Sequence, residues 1–435
     1  MEKQLFREVA LYGIATGLNR GIVLLFLPFL TQILTLGDLG LYSLIQAVSI
    51  ILAFILSLNG AAGIMREGVN NNAVALNLLV RFTIITFILC LPLSILFYFV
   101  DVEWLKFAFY QGIGESLLLL LLTYYRSLEK VGFYFSLVIF KVFTLFFFIQ
   151  FCFIHHYSDL IFLLKGQVYI YILISFIYLL YEIISNRVYL KTNIPLKDVL
   201  LFTIPLLLHS ISQWTISSSD RVILKFIVDK ESVGVYSIAY TIAMMLMLLN
   251  SGIALALPQH LIKNYKLWTE PTFLRRNIII YSIAAIIVFS IGLIVTILDE
   301  KYFHTLGYYK LDLFLAYTII CIGIYLLGLY FIYSNFLFYH KQSKTLSIQT
   351  FKVAQLNITL TLLLSYQIGV AGAALGTAIS YLYYLFLVNK AAIALEPSLK
   401  KNNRNLITSV VITISTFSAI ISLLIHFKFN LFIEK

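Results

Sequence analysis

The chain has 435 residues, 61% of them hydrophobic and only 12% charged, with net charge +11 and mean hydropathy +0.95. A soluble chain carries about 25% charged residues, so this one lacks the polar material to coat a water-facing surface. That excludes cytosolic enzymes, nucleic-acid binders and secreted disulfide scaffolds, and it reads the basic excess as loop lysines and arginines that orient membrane spans. Cys90, Cys152 and Cys321 lie in apolar stretches without CxxC or metal-ligand spacing, so they are expected to be plain buried residues, and no metal or cofactor is expected. Met1–Arg7 is short and charged, and the apolar stretch behind it is long enough to span, so no cleavable signal is expected.

A membrane helix needs about 20 mostly apolar residues. That criterion predicts spans near 9–34, 39–64, 77–100, 104–127, 131–154, 160–185, 200–227, 233–258, 277–298, 311–338, 346–366, 369–391 and 406–427. These are continuous apolar runs, which excludes a pore-forming β-barrel with its short alternating strands. With the N-terminus inside, 18 of the 31 lysines and arginines fall on inner loops and seven on outer ones, so the N-terminus is assigned to the cytoplasmic side. The C-terminus is then outside. The longest loops, 186–199, 259–276 and 299–310, are too short to fold as a catalytic domain. A polysaccharide polymerase would be expected to carry a large outer loop, so the chain reads as no enzyme, and its function must lie within the helices.

The two halves echo one another. Gly40-Leu41-Tyr42-Ser43 is followed 194 residues later by Gly234-Val235-Tyr236-Ser237. Arg81 stands 194 residues before Arg275, and Phe140-Lys141-Val142 matches Phe351-Lys352-Val353 at an offset of 211. Six spans per half is an even number, so the halves share one orientation, as parallel repeats about an axis along the membrane normal. The fold class expected is all-α and polytopic, with two parallel six-helix bundles around a central lumen and a thirteenth C-terminal helix. The expected division is 1–190 for the first bundle, 191–199 for an inner linker, 200–394 for the second bundle and 395–435 for a C-terminal extension.

Ionisable groups at mid-span are costly and usually face a cavity or bundle interior. They are Arg20, Glu115, Lys141, Asp220, Arg221, Lys225 and Lys352. Several sit on polar stripes at three- and four-residue spacing: Ser210, Gln213, Ser217 and Asp220 in span seven, and Gln349, Lys352, Gln355 and Thr359 in span eleven. Gly13, Thr16 and Arg20 align in span one, and Gln111 and Glu115 in span four. Asp220 and Arg221 read equally as a lumen pair or as an internal ion pair that stitches helices. Lys225 is expected to snorkel to the outer surface. Glu182, near an inner helix end, is expected at the interface. Arg20, Lys141, Arg221 and Lys352 are the expected cationic substrate-binding groups, and Glu115 and Asp220 the expected ion-coupling or charge-balancing ones. Arginine and lysine in a wet, low-dielectric cavity suit phosphate or another anion. The Ser, Thr, Asn and Gln groups beside them suit hydroxyl-rich cargo. A sugar joined through diphosphate to a membrane lipid meets both requirements.

The stretches Leu201-Phe202-Thr203-Ile204-Pro205-Leu206-Leu207-Leu208-His209-Ser210, Ser217-Ser218-Ser219-Asp220-Arg221-Val222-Ile223-Leu224 and Val233-Gly234-Val235-Tyr236-Ser237-Ile238-Ala239-Tyr240 resemble the middle of bacterial O-antigen and polysaccharide flippases. Gly369-Val370-Ala371-Gly372-Ala373-Ala374-Leu375-Gly376-Thr377 resembles the late glycine- and alanine-rich helix shared across the multidrug/oligosaccharidyl-lipid/polysaccharide exporter superfamily. The resemblance implies flipping of undecaprenyl-diphosphate-linked repeat units across a bacterial inner membrane by alternating access, coupled to a proton or sodium gradient. It implies a lipid-linked oligosaccharide, membrane lipid and other polysaccharide-assembly membrane proteins as partners, and no nucleic acid. Members commonly have twelve or fourteen spans, so thirteen is a departure. A multidrug antiporter or a peptidoglycan-precursor flippase is the alternative on the same fold.

Overall fold

A computed structural model of the chain describes residues 17–19, 21, 23–69, 71–99, 102–185, 195–303 and 310–433. The described residues build an all-helical fold. In order, the helices are α1 (Gly17–Ile33), α2 (Leu36–Leu56), α3 (Gly60–Glu67), α4 (Asn72–Phe99), α5 (Glu103–Ser127), α6 (Val131–Ile154) and α7 (Leu160–Ser185). They continue as α8 (Leu196–Ile227), α9 (Lys230–Lys263), α10 (Tyr265–Thr269), α11 (Pro271–Phe303), α12 (Lys310–Tyr339) and α13 (Ser343–Leu395). A 3₁₀ turn (Pro397–Asn402) then leads into α14 (Asn403–Ile433). Eleven helices among the described residues are long and apolar enough to cross a membrane. The longest, α13, has 53 residues and breaks at Ile368-Gly369, where Gly369 takes φ +56°. It therefore supplies two of the expected spans, and α1 covers the described part of the first expected span.

Local chemistry sets several boundaries. The Thr35 hydroxyl accepts the Asp38 backbone N–H (3.2 Å) at the start of α2, and Asp229 accepts the Ser232 N–H (2.6 Å) at the start of α9. The second predicted span departs from expectation: it is two helices, because Leu58 and Asn59 adopt φ 46° and 53° between α2 and α3. Asn-Gly at 59–60 is a turn signal inside an apolar run, and here the turn wins over hydropathy.

The chain divides into two compact units, Met1–Trp214 and Thr215–Lys435. The division falls within α8, not at the 191–199 linker, most of which lies outside the described residues. The first part of α8 packs into unit 1: Val199 and Thr203 lie against Gly63 of α3, and the Trp214 indole N–H donates to the Ala47 carbonyl (2.6 Å). In unit 1, α5 is the hub and touches α2, α3, α4, α6 and α7. Two glycines make that possible. A Cβ on Gly112 would stand 2.9 Å from Leu52 Cβ of α2, and one on Gly114 would stand 2.8 Å from Tyr171 Cβ of α7. In unit 2, α12 packs on α9, α13 and α14, and α11 on α9 and α14. The last helix is thus built into the core of its unit: the Phe417 ring stacks on Phe289 at 4.1 Å, and the Thr413 hydroxyl donates to Tyr325 (3.3 Å).

Candidate functional site

Unit 1 buries a polar network drawn from four helices. Three of them contribute pairs one turn apart, which puts both members on one face: Tyr42 and Gln46 on α2, Gln111 and Glu115 on α5, and Gln167 and Tyr171 on α7. The fourth, α6, contributes Lys141. The hydrogen bonds run in one direction. The Gln111 amide donates to Gln46, Gln46 donates to Gln167 (2.9 Å), and Gln167 donates to the Tyr171 hydroxyl (3.0 Å). Glu115, one turn from Gln111 on α5, is half-buried. The Gln111 carbonyl oxygen is buried without a hydrogen-bond partner among the described residues.

Lys141 is only 6% exposed. Its ammonium lies over the Tyr171 ring, 5.2 Å from the centroid, a cation–π arrangement. Glu115 of α5 forms no contact ion pair with Lys141. Beside Lys141, Glu115 and Gln111, which sequence reasoning singled out on two separate helices, stand Gln46, Gln167, Tyr42 and Tyr171, which it did not assign to the site. The missed signal was the i, i+4 spacing of amide and phenol groups in otherwise apolar helices.

Unit 2 holds the other pair. Asp220 is 1% exposed and surrounded by donors. The Tyr236 hydroxyl donates to one carboxylate oxygen, and the Arg221 backbone N–H donates to the other at 2.8 Å. The Arg221 guanidinium comes within 3.7 Å of that second oxygen and lies over the Tyr240 ring, 4.5 Å from its centroid. Beside them, the Ser219 hydroxyl approaches Asn357 Oδ1 (3.5 Å), and Asn357 donates to the Thr377 hydroxyl (3.4 Å). The cluster joins α8 and α9 to both halves of α13.

The remaining expected site residues lie elsewhere. Lys352, the repeat counterpart of Lys141, is exposed on α13, as are Gln355 and Thr359, whereas Gln349 of the same stripe is buried. The register of the repeat still holds, since Phe140 and Phe351 are both exposed and Val142 and Val353 both buried. Arg20 lies outside the described residues. Glu182 is fully buried within the protein: the Tyr124 hydroxyl (2.8 Å) and the Lys130 ammonium (3.4 Å) both reach its carboxylate. Between α9 and α11, Tyr265 stacks on Tyr339 at 4.0 Å and donates to Glu396 (3.1 Å), with His340 Nε2 at 2.9 Å from the same hydroxyl. Burial first, and then the Glu396 carboxylate, push the Tyr265 phenol above its ordinary value.

No protein-family model matches the chain, and no curated protein matches it. Solved structures do, and the likeness is of fold. The lipid II flippase MurJ, in an inward closed conformation, is similar over 95% of this chain and 98% of its own, at 16% identity and a TM-score of 0.67. A multidrug resistance MATE family transporter of the MOP superfamily, inward-facing, is similar over 90% of this chain and 96% of its own, at 16% identity and a TM-score of 0.60. The MATE multidrug transporter DinF-BH is similar over 92% of this chain and 96% of its own, at 15% identity and a TM-score of 0.57.

Proposed function

We propose that the chain is an exporter of an anionic, lipid-linked oligosaccharide, flipping undecaprenyl-diphosphate-linked O-antigen or polysaccharide repeat units from the cytoplasmic to the periplasmic leaflet of a bacterial inner membrane. The fold it has in common with MurJ and the MATE transporters supports an exporter working by alternating access. The observation that carries the anionic cargo is Lys141. It is a buried ammonium held over an aromatic ring and not closed onto a carboxylate, so its charge is available to a ligand. In a low-dielectric site such a charge is costly unless it is compensated, and a diphosphate would compensate it. Lys352 and Arg20 are proposed to meet the same head group at other stages of its passage. Glu115 is proposed to carry the coupling proton or sodium ion, with Asp220 and Arg221 balancing charge.

A cationic-drug antiporter on the same fold would need a free acid facing its cargo. Asp220 is enclosed by Arg221 and Tyr236, which argues against that role for it. The test is deletion in the native host, with the position of the lipid-linked repeat unit as readout. Accumulation on the inner face, uncorrected by Lys141→Ala but corrected by the wild-type gene, is the expected outcome. Unchanged surface glycan in the deletion strain, or full correction by the expressed alanine variant, would sink the reading.

A further inference from the structure

One end of unit 2 gathers cations that the fold leaves unneutralised. The Tyr265 hydroxyl, just ahead of α11, donates to Glu396 (3.1 Å), which brings the start of α11 beside the 3₁₀ turn. The Asn389 amide donates to Asn403 (2.8 Å), which brings the end of α13 beside the start of α14. The turn itself packs on all three helices. Arg275 and Arg276 of α11, Lys390 of α13, Lys400 and Lys401 of the turn and Arg404 of α14 are all exposed here. None of them forms an ion pair among the described residues, whereas Arg66 and Lys130, at helix ends of unit 1, close on Glu67 (3.1 Å) and Glu182 (3.4 Å). Glu396, the one acid in 271–276 and 389–404, is already occupied: Tyr265 donates to one oxygen and the Ser398 hydroxyl to the other (2.9 Å).

Orienting spans calls for cations at one end, but not for cations that head apolar faces. On α11, Arg276, Ile280, Ile283 and Ile287 follow at steps of four, three and four, and all are exposed. On α14, Arg404, Ile407 and Val411 do the same at steps of three and four. Such spacing puts each set on one side of its helix, and α11 and α14 pack against each other. We propose that this end of unit 2 binds an anionic phospholipid of the adjoining leaflet: Arg276, Lys400, Lys401 and Arg404 hold the headgroup phosphate, and the acyl chains lie along Ile280–Ile287 and Ile407–Val411. Clusters of about four to eight Lys and Arg beside a span attract anionic headgroups. An acidic protein would meet the cations but would leave the apolar stripes that run from them without an occupant.

The experiment titrates short-chain phosphatidylglycerol, and separately the zwitterionic short-chain phosphatidylcholine, into the purified full chain in neutral detergent. Affinity is read from the rise in melting temperature. Phosphatidylglycerol is expected to bind at least about tenfold more tightly than phosphatidylcholine. Each cation near an anionic headgroup contributes a factor of about five. Lys400→Gln/Lys401→Gln should therefore bind phosphatidylglycerol at least about tenfold more weakly, and Lys400→Arg/Lys401→Arg like wild type. Arg275→Gln/Arg276→Gln is an independent variant on another helix with the same expected loss. Arg126→Gln removes an exposed cation of unit 1 and should leave binding unchanged. Glycerol phosphate, the headgroup without its chains, should not compete. Equal binding of the two lipids, wild-type affinity in both glutamine pairs, or an equal loss in Arg126→Gln overturns the proposal. So does full competition by glycerol phosphate, which would make the ligand a free phosphate, or binding of polyglutamate with none of phosphatidylglycerol, which would make the partner an acidic protein.

Discussion

The two units place an acid and a buried base in opposite ways. In unit 2, Asp220 and Arg221 close on one another, and Tyr236 and Tyr240 complete the enclosure. In unit 1, Glu115 and Lys141 are held apart, with Tyr171 and three glutamines filling the space around them. The contrast is sharpened by the repeat. Tyr42 and Tyr236 occupy matching Gly-x-Tyr-Ser positions, yet Tyr236 donates directly to its acid, while Tyr42 is near Glu115 only through space, beside Gln46 and Gln167. A closed pair cancels its own charge and holds helices together. An open pair keeps a charge that something else can use.

The largest effect should come from opening the closed pair. Asp220→Ala removes the carboxylate facing the buried Arg221 and is expected to cost about 3–5 kcal/mol, read as a fall in the melting temperature of the purified chain in detergent. Glu115→Gln, in the open pair, keeps the shape and hydrogen-bonding capacity and should cost no more than about 1 kcal/mol. Equal losses from the two would erase the distinction between the units. Next in size is a steric break of unit 1. Gly112→Val puts side-chain atoms where a Cβ alone meets Leu52 at 2.9 Å and the Ser49 carbonyl at 3.2 Å. Forcing α5 off α2 is expected to cost about 1–3 kcal/mol and to separate Gln111 from Gln46. Hydrogen exchange should then rise in α2 and α5 while α9, α12 and α13 stay protected; a rise spread over both units would contradict the division.

How far these residues were visible beforehand depends on the kind of signal. The spans were legible because twenty apolar residues in a row have few other uses; α6 and α7 begin and end where hydropathy alone puts them, at 131–154 and 160–185. The break at Leu58-Asn59 was not, since two residues of left-handed backbone hardly alter a twenty-residue average. At the site, Glu115, Lys141, Asp220 and Arg221 stood out because charge in a span is expensive. That Lys141 lies over Tyr171 beside the glutamine chain could not be seen, because α5, α6 and α7 meet there only in three dimensions. Gln46 and Gln167 went unnoticed because neutral amides carry a smaller penalty and so a weaker signal. The matched lysines differ for a separate reason: the Phe-Lys-Val register repeats faithfully, but what packs over each lysine does not, so Lys141 is buried and Lys352 exposed.

That difference gives a smaller and more discriminating pair of substitutions. A buried ammonium not closed onto a carboxylate is a net cost to the fold, so Lys141→Met should raise stability by about 1–2 kcal/mol while export is lost. Gain of stability with loss of activity marks a residue retained for function. Lys352→Met, at an exposed position, should change stability by no more than about 0.5 kcal/mol. If Lys141→Met destabilises the chain instead, the lysine is part of the unit's framework, and the open pair is a stitch of another geometry.

A further modest effect concerns the edge of unit 2, where the logic of satisfied groups extends to the connector between α9 and α11. Tyr265 donates to Glu396, and burial together with that carboxylate holds its phenol above the ordinary value. A phenol raised in this way favours the neutral form in the folded chain. Its contribution to stability is therefore fully present below the unfolded value of about 10 and is lost as pH rises beyond it. Tyr265→Phe removes the hydrogen bond and should cost about 0.5–1.5 kcal/mol at neutral pH, with the gap to wild type closing above about pH 10. The other tyrosines titrate in both proteins, so the difference between the two melting curves isolates Tyr265. A gap that stays constant into alkaline pH would mean that its ring, stacked on Tyr339 at 4.0 Å, holds the connector and that the bond to Glu396 contributes nothing. In that case the charge satisfaction that distinguishes unit 2 would stop at Asp220 and Arg221.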